Sequence, residues 1–276
     1  MNRNGLLSVV VAALGLLVFG ALGPARVACA EEGYGAEQAR LDEEALAAEA
    51  ERAWYFAIDA TYNGKYIWRG QNLVDDHVFQ PSVTVGYEGL SFNIWGNRDT
   101  TDVNNQGGNF TEIDYTVDYS WTWKGLDLST GAIYYDFPHS SAPETVEVYG
   151  AVAVDTLLSP SFTLYWDVDE ADGGYASFAI GHTFPDVWQP AENVSMSVDL
   201  SGSVGFASAN WNNFYYGVDK SAFTDALVSL GLPVQFGERW SLTPAVNFSQ
   251  LLDDDIRDTF SDQSNFWAGV TLSYSF

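Results

Sequence analysis

The chain has 276 residues, a formal net charge of -26, 47% hydrophobic residues and 15% aromatic residues. So acidic a balance excludes a nucleic-acid partner, which needs a basic footprint, while the aromatic and apolar content excludes a disordered chain. The single cysteine, Cys29, excludes disulfides, a zinc cluster and, once the N-terminal segment is removed, a cysteine nucleophile.

The first element is a targeting signal. Arg3 supplies a positive start, Leu6 to Leu22 is an almost unbroken apolar run, and Ala28-Cys29-Ala30 is a small-residue cleavage signature. We expect a signal peptide over 1–30, cut after Ala30. A lipoprotein site at Cys29 would want an aliphatic residue where Arg26 stands. Loss of Arg3 and Arg26, with no acid in the segment, takes the charge from -26 to -28. Residues 31–53, rich in Ala and Glu with Leu41 and Leu46 as large apolar residues, read as a helical acidic periplasmic leader.

From Trp54 the hydrophobic period becomes two. Ile113, Tyr115, Val117, Tyr119, Trp121 and Trp123 alternate with Glu112, Asp114, Thr116, Asp118, Ser120 and Thr122. In the last strand Phe266, Ala268, Val270, Leu272, Tyr274 and Phe276 share one face. Alternation over about ten residues marks a half-buried strand and matches the length of a tilted bilayer crossing. The pattern predicts twelve strands, near 54–69, 79–88, 90–99, 110–123, 126–137, 144–156, 160–169, 174–184, 194–207, 222–236, 239–250 and 264–276. Turns at 88–90, 124–126, 157–160 and 236–239 are tight, whereas the alternate connections are long and polar. The expected fold is therefore all-β: a transmembrane antiparallel β-barrel over 54–276, set in the cell outer membrane with both termini periplasmic. A soluble sandwich or lipocalin-like barrel shares the period but would show its polar face to water. The terminal aromatic Phe276 resembles the C-terminal signal read by the barrel-assembly machinery, which makes that machinery an expected partner beside lipid and lipopolysaccharide.

Several segments carry a family resemblance: "YIWRG" at 66–70, "FNIWGN" at 92–97, "TEIDYTVDY" at 111–119, "GAIYYDFP" at 131–138 and "VEVYGAVAVD" at 146–155. Taken in order they resemble the TorF-like porins, with the Tyr-x-x-Arg-Gly opening at Tyr66, Arg69 and Gly70. The resemblance implies an outer-membrane barrel acting as a porin, without catalytic residues to transfer.

Parity then assigns the lumen. In the first predicted strand Phe56, Ile58, Ala60, Tyr62, Tyr66 and Trp68 fall on the apolar side, which puts Lys65 and Arg69 on the inner one. The same rule turns Glu88, Asp99, Glu112, Asp114, Asp118, Asp127, Glu147, Asp155, Asp167 and Asp199 inward, so the two cations become counter-charges of an acidic pore lining. Such a lumen suits passive diffusion of small cationic or neutral solutes. The alternative is a closed, non-conducting barrel with a structural or surface-binding role, in which Lys65 and Arg69 belong to a core salt-bridge network.

Enzymatic readings fare worse. His77 and His139 fall in outer loops, His182 falls on the lipid face between Ile180 and Phe184, and no Gly-x-Ser-x-Gly occurs. "DVDEADGG" at 167–174 resembles a calcium loop, but Phe178 stands where a bidentate Glu is needed. "DDDIRD" at 253–258 reads as a solvated acidic loop. No cofactor, metal or catalytic residue is expected.

Overall fold

A computed structural model describes residues 54–276; the expected signal peptide and leader lie outside the described residues. Neighbouring strands pair antiparallel throughout: β1 (Trp54–Asn63), β4 (Val78–Tyr87), β5 (Leu90–Asp99), β6 (Phe110–Trp123), β7 (Leu126–Asp136), β8 (Thr145–Val154), β9 (Ser161–Asp167), β10 (Gly173–Ala191) and β11 (Val194–Ala207). The circle continues through β12 (Ala222–Gly231) with β13 (Val234–Phe236), then β14 (Trp240–Leu251) and β15 (Ser264–Ser275), which returns to β1. Counting β12 and β13 as one broken strand, the barrel is closed by twelve. The break falls at Leu232-Pro233, where proline has no N–H to give the ladder. At the seam, Phe56 and Phe276 exchange backbone hydrogen bonds of 3.0 and 2.9 Å.

The alternation has the expected sense. Ile58, Val83, Val85, Phe92, Ile94, Phe162, Leu164, Ile180, Leu200, Val228, Val246 and Phe248 all stand exposed on the outer wall. Ser91, Ser120, Thr163, Thr183, Ser229, Asn247 and Ser249 are buried on the inner one. A closed sheet, apolar outside and polar inside, satisfies its backbone internally and places its apolar band in lipid, so this is an outer-membrane barrel. Among the described residues no helix is long and apolar enough to cross a membrane.

One expected strand is corrected. The segment 54–69 does not run straight: β1 ends at Asn63, and β2 (Tyr66–Trp68) pairs with β3 (Gln71–Val74) in a separate two-stranded sheet. The cause is local. Arg69 has φ 45° and Gly70 φ 82°, and Trp68 pairs with Gln71. Two successive positive φ values between paired residues are what a tight primed hairpin turn requires. Glu88-Gly89 and Lys124-Gly125 repeat the pattern, with φ 46° and 89°, then 52° and 78°. The first outer connection is thus a hairpin, and Tyr66 and Trp68 are not lipid-facing: Tyr66 is buried and Trp68 packs into two interior clusters.

Candidate functional site: a plug around Arg69

Two outer connections meet inside the upper barrel. One is the β2–β3 hairpin. The other, between β11 and β12, carries α1 (Ala209–Tyr216), whose N-cap Ser208 accepts from the Trp211 N–H and which ends at Gly217 with φ 74°. A Cβ on Gly173 would lie 2.5 Å from the backbone nitrogen of Trp211, so the absent side chain lets the helix approach the wall. A third outer connection contributes α2 (Asp254–Arg257), whose Ile256 is buried beside Tyr216, Leu251 and Phe260. These pieces form the aromatic core of the molecule, in the lumen rather than between layers.

Arg69 is at its centre. Its guanidinium donates two bonds of 2.7 Å to Glu147, one to each carboxylate oxygen. The side chains of both partners are withdrawn from water, at 3% and 0% exposure. Its Cζ lies 4.6 Å from the ring centre of Trp68, 4.7 Å from Tyr165, 4.2 Å from Tyr175 and 5.2 Å from Trp211. Guanidinium is planar and weakly hydrated, which makes it the cation suited to a fork-on-fork carboxylate pair inside an aromatic box. Glu147 also accepts from Tyr135 Oη at 2.9 Å and Trp211 Nε1 at 3.3 Å. Tyr216 closes the box from α1 by donating to the Arg69 carbonyl at 2.5 Å.

Around it, tyrosines hold the buried acids. Tyr66 donates to Glu112 at 2.9 Å, Tyr149 to Asp118 at 2.6 Å, Tyr175 to Asp225 at 3.2 Å and Tyr215 to Asp167 at 2.7 Å. Burial, reinforced by the nearby Glu147 and Asp167 carboxylates, pushes the Tyr215 phenol well above its ordinary value, so it stays a donor. Asp167 also receives the backbone N–H groups of Asp169, Glu170 and Ala171 at 3.0 to 3.2 Å, a loop-capping role for the residue that opens the calcium-like motif.

The twelve residues assigned to the lumen separate by height. Asp99, Glu112, Asp118, Glu147 and Asp167 are buried on the inner wall, as is Arg69 in the plug. Asp114, Asp127 and Asp199 are half-buried at inward positions. Lys65 lies at the outer rim, paired with Asp75 of its own connection and donating to Asn265 at 3.1 Å. Two assignments are corrected: Glu88 is the exposed first residue of a turn at the inner rim, and Asp155 is exposed in the β8–β9 connection, because parity has no meaning once the strand has ended. The histidines are where the pattern puts them; His182 meets Phe184 edge-on at 4.6 Å, and His139 contacts the Phe110 carbonyl at 2.8 Å.

Several members of the site escape the sequence reading. Tyr135, Tyr149 and Tyr165 share the parity of Asp127, Glu147 and Asp167, so the rule that found the acids finds them too. Asp225 shares the parity of Ser229, but Leu227 interrupts that polar face. Trp211 carries no such signal, since its position depends on a loop turning inward.

No family model and no curated protein matches this chain. Solved structures do. The NanC porin is similar at a TM-score of 0.45 and 11% identity, over 79% of this chain and 98% of its own. An outer-membrane channel from Pseudomonas putida F1 gives 0.41 and 10%, over 81% and 95%. The translocator domain of the autotransporter NalP from Neisseria meningitidis gives 0.41 and 10%, over 87% and 97%.

Proposed function

We propose that the protein is a porin-like channel for passive diffusion of small solutes, with a preference for cations, and that the plug around Arg69 forms its constriction. The observation that carries this reading is the charge balance inside. Asp99, Glu112, Asp118, Glu147, Asp167 and Asp225 are buried acids, against Arg69 as the buried cation among the described residues. A lumen lined this way concentrates cations and repels anions. The ordered resemblance to the TorF-like porins supports the same reading. Below the plug the inner wall presents Ser, Thr, Ala and Gly, such as Ser120, Ser129, Ala151, Thr163 and Gly181. A twelve-stranded ring is wider than the small barrels whose interiors side chains fill. The reading assigns no catalytic step. It includes lipopolysaccharide at the outer rim and the barrel-assembly machinery, engaged through Phe276, as partners. Purified protein in a planar bilayer is expected to give unitary conductance, with a reversal potential across a KCl gradient displaced toward the K⁺ value.

A second reading has its own observation. Arg69 is neutralised by a bidentate partner and enclosed by four rings, which fits a closed, structural barrel. Absence of conductance from correctly folded protein would select it.

A further inference from the structure

Below the plug, on the inner face of β6 and β7, three side-chain oxygens come from neighbouring ladder positions. Ser120 and Ser129 face each other across the ladder, and Asp118, two residues along β6, pairs with Gly131. All three side chains belong to buried residues, at 1% exposure for Asp118, 0% for Ser120 and 4% for Ser129. Asp118 Oδ1, Ser120 Oγ and Ser129 Oγ have no partner in good hydrogen-bond geometry among the described residues, although the Ser129 hydroxyl is near enough to Asp118 to act on its carboxylate. Residues directly or diagonally opposed on one face of a ladder have Cβ atoms within roughly 5 to 8 Å. Side chains as short as Ser and Asp therefore converge on one small space.

The carboxylate is held for this arrangement. Tyr149 reaches across the wall from β8 and donates to Asp118 Oδ2 at 2.6 Å, which leaves Oδ1 for a second partner. It does so over Gly131, where a Cβ would lie 2.5 Å from the phenol oxygen and 2.6 Å from Cζ. The glycine therefore makes the passage for the tyrosine. A buried carboxylate held only by neutral hydroxyls is costly while it is charged, and either a proton or a cation relieves that cost.

We propose that Asp118, Ser120 and Ser129 form a binding site for a small monovalent hard cation such as Na⁺. Hard oxygen donors select an alkali or alkaline-earth ion over a transition metal. A single carboxylate with two neutral hydroxyls balances one positive charge, whereas calcium sites gather several carboxylates. The proposal deepens the channel reading by naming a solute class, and it rests on that reading only for how the ion arrives.

Thermal unfolding of the full-length protein in detergent tests it, comparing NaCl with choline chloride at equal ionic strength. Choline is too large for the site and screens charge equally. A midpoint higher by about 2–4 °C in Na⁺ is expected, the size of shift that a modest ligand stabilisation gives a chain of this length. Asp118→Asn is expected to abolish the difference and Ser129→Ala to reduce it. If Asp118→Asn fails to fold, the Ser120→Ala/Ser129→Ala double variant carries the test. Crystals soaked in thallium(I) are expected to show an anomalous peak among the three oxygens. Equal midpoints in both salts, a Na⁺ effect that survives in the variants, or a site without a thallium peak would overturn the proposal and leave the space to water. A non-conducting protein that still shows the Na⁺ shift would sink the channel reading alone; a conducting one without it would sink only the site.

Discussion

At the scale of single residues, Arg69 and Glu147 hold the centre of the plug. Removing one member of a buried ion pair strands the other, at a cost of about 3–5 kcal/mol. Arg69→Ala is expected to lower stability by that order, read from urea unfolding of the refolded barrel. Arg69→Lys keeps the charge but loses the planar fork and the stacking, so it should fall between. Glu147→Gln in the Arg69→Ala background is expected to restore part of the loss, because the stranded charge is gone; strictly additive single and double variants would show that the pair is not coupled. Parity alone picked the acids out of the sequence, and along β5, β6, β8 and β9 Asp99, Glu112, Asp118, Glu147 and Asp167 are buried. It failed at Glu88 and Asp155, which sit past strand ends. It also left Tyr135, Tyr149 and Tyr165 unassigned, because an aromatic in a membrane barrel is first read as facing the bilayer interface. What places them inside is the company of carboxylates at the same height, a relation across strands that a single strand's pattern does not contain.

At the scale of elements, the hairpin β2–β3 was hidden by its own neighbours. "RGQ" at 69–71 has the same form as "EGL" and "KGL", both read as tight turns, yet the apolar run through Tyr66 and Trp68 suggested a longer strand. The helix α1 was illegible for a different reason: eight residues hold too few turns to form without tertiary packing. That packing is specific. Gly173→Ala would drive a methyl into the Trp211 backbone, and backbone cannot swing aside as a side-chain tip can. We expect this variant to assemble as a barrel but to expose the loop that follows α1, with faster trypsin cleavage after Lys220 than in wild type. An unchanged cleavage rate would mean that α1 is not held by this contact. The same loop is tied to α2, where Lys220 bonds Asp253 at 2.8 Å and Asp255 at 2.7 Å. The hydrogen bond from Lys220, ahead of the backbone N–H groups of α2, holds the Asp253 carboxyl below its ordinary 3.8. A depressed folded-state value means that the contribution is present in full above the ordinary value and is lost as pH falls through the lower, folded one. Trypsin is inactive in that range, so amide exchange over 208–221 and 252–263 is the measurement. Lower protection, taken relative to the intrinsic exchange rate at each pH, is expected below about pH 4, and Lys220→Met should show that lower protection already at neutral pH.

At the scale of the whole molecule, the wall and the plug are separable, and this is why the architecture was legible while its interior was not. The wall is specified strand by strand through alternation and tight turns, signals with a range of about ten residues. The plug is specified by contacts between residues as far apart in sequence as Arg69, Glu147 and Trp211, so no local pattern announces it. Separability also gives the sharpest test of the constriction. Asn63 and Val78 are directly paired at the outer ends of β1 and β4. Residues 64–77 can therefore be replaced by a two-residue Asn-Gly turn, which suits the twist of an antiparallel pair. The wall loses no ladder pair between β1 and β4, so the shortened protein is expected to assemble and to keep its heat-modifiable gel mobility. Removing the hairpin takes Arg69 out and strands Glu147, but it also opens the upper lumen, so water can hydrate the carboxylate that the plug had buried. Unitary conductance should then rise several-fold over wild type, and cation preference should rise with it, because the buried positive charge is gone and the acids remain. In molar salt the added preference should shrink, since screening there acts within about 3 Å. A folded variant with wild-type conductance would show that ions are limited elsewhere along the barrel. A variant that conducts where the wild type does not would identify the hairpin as the closure of an otherwise open ring.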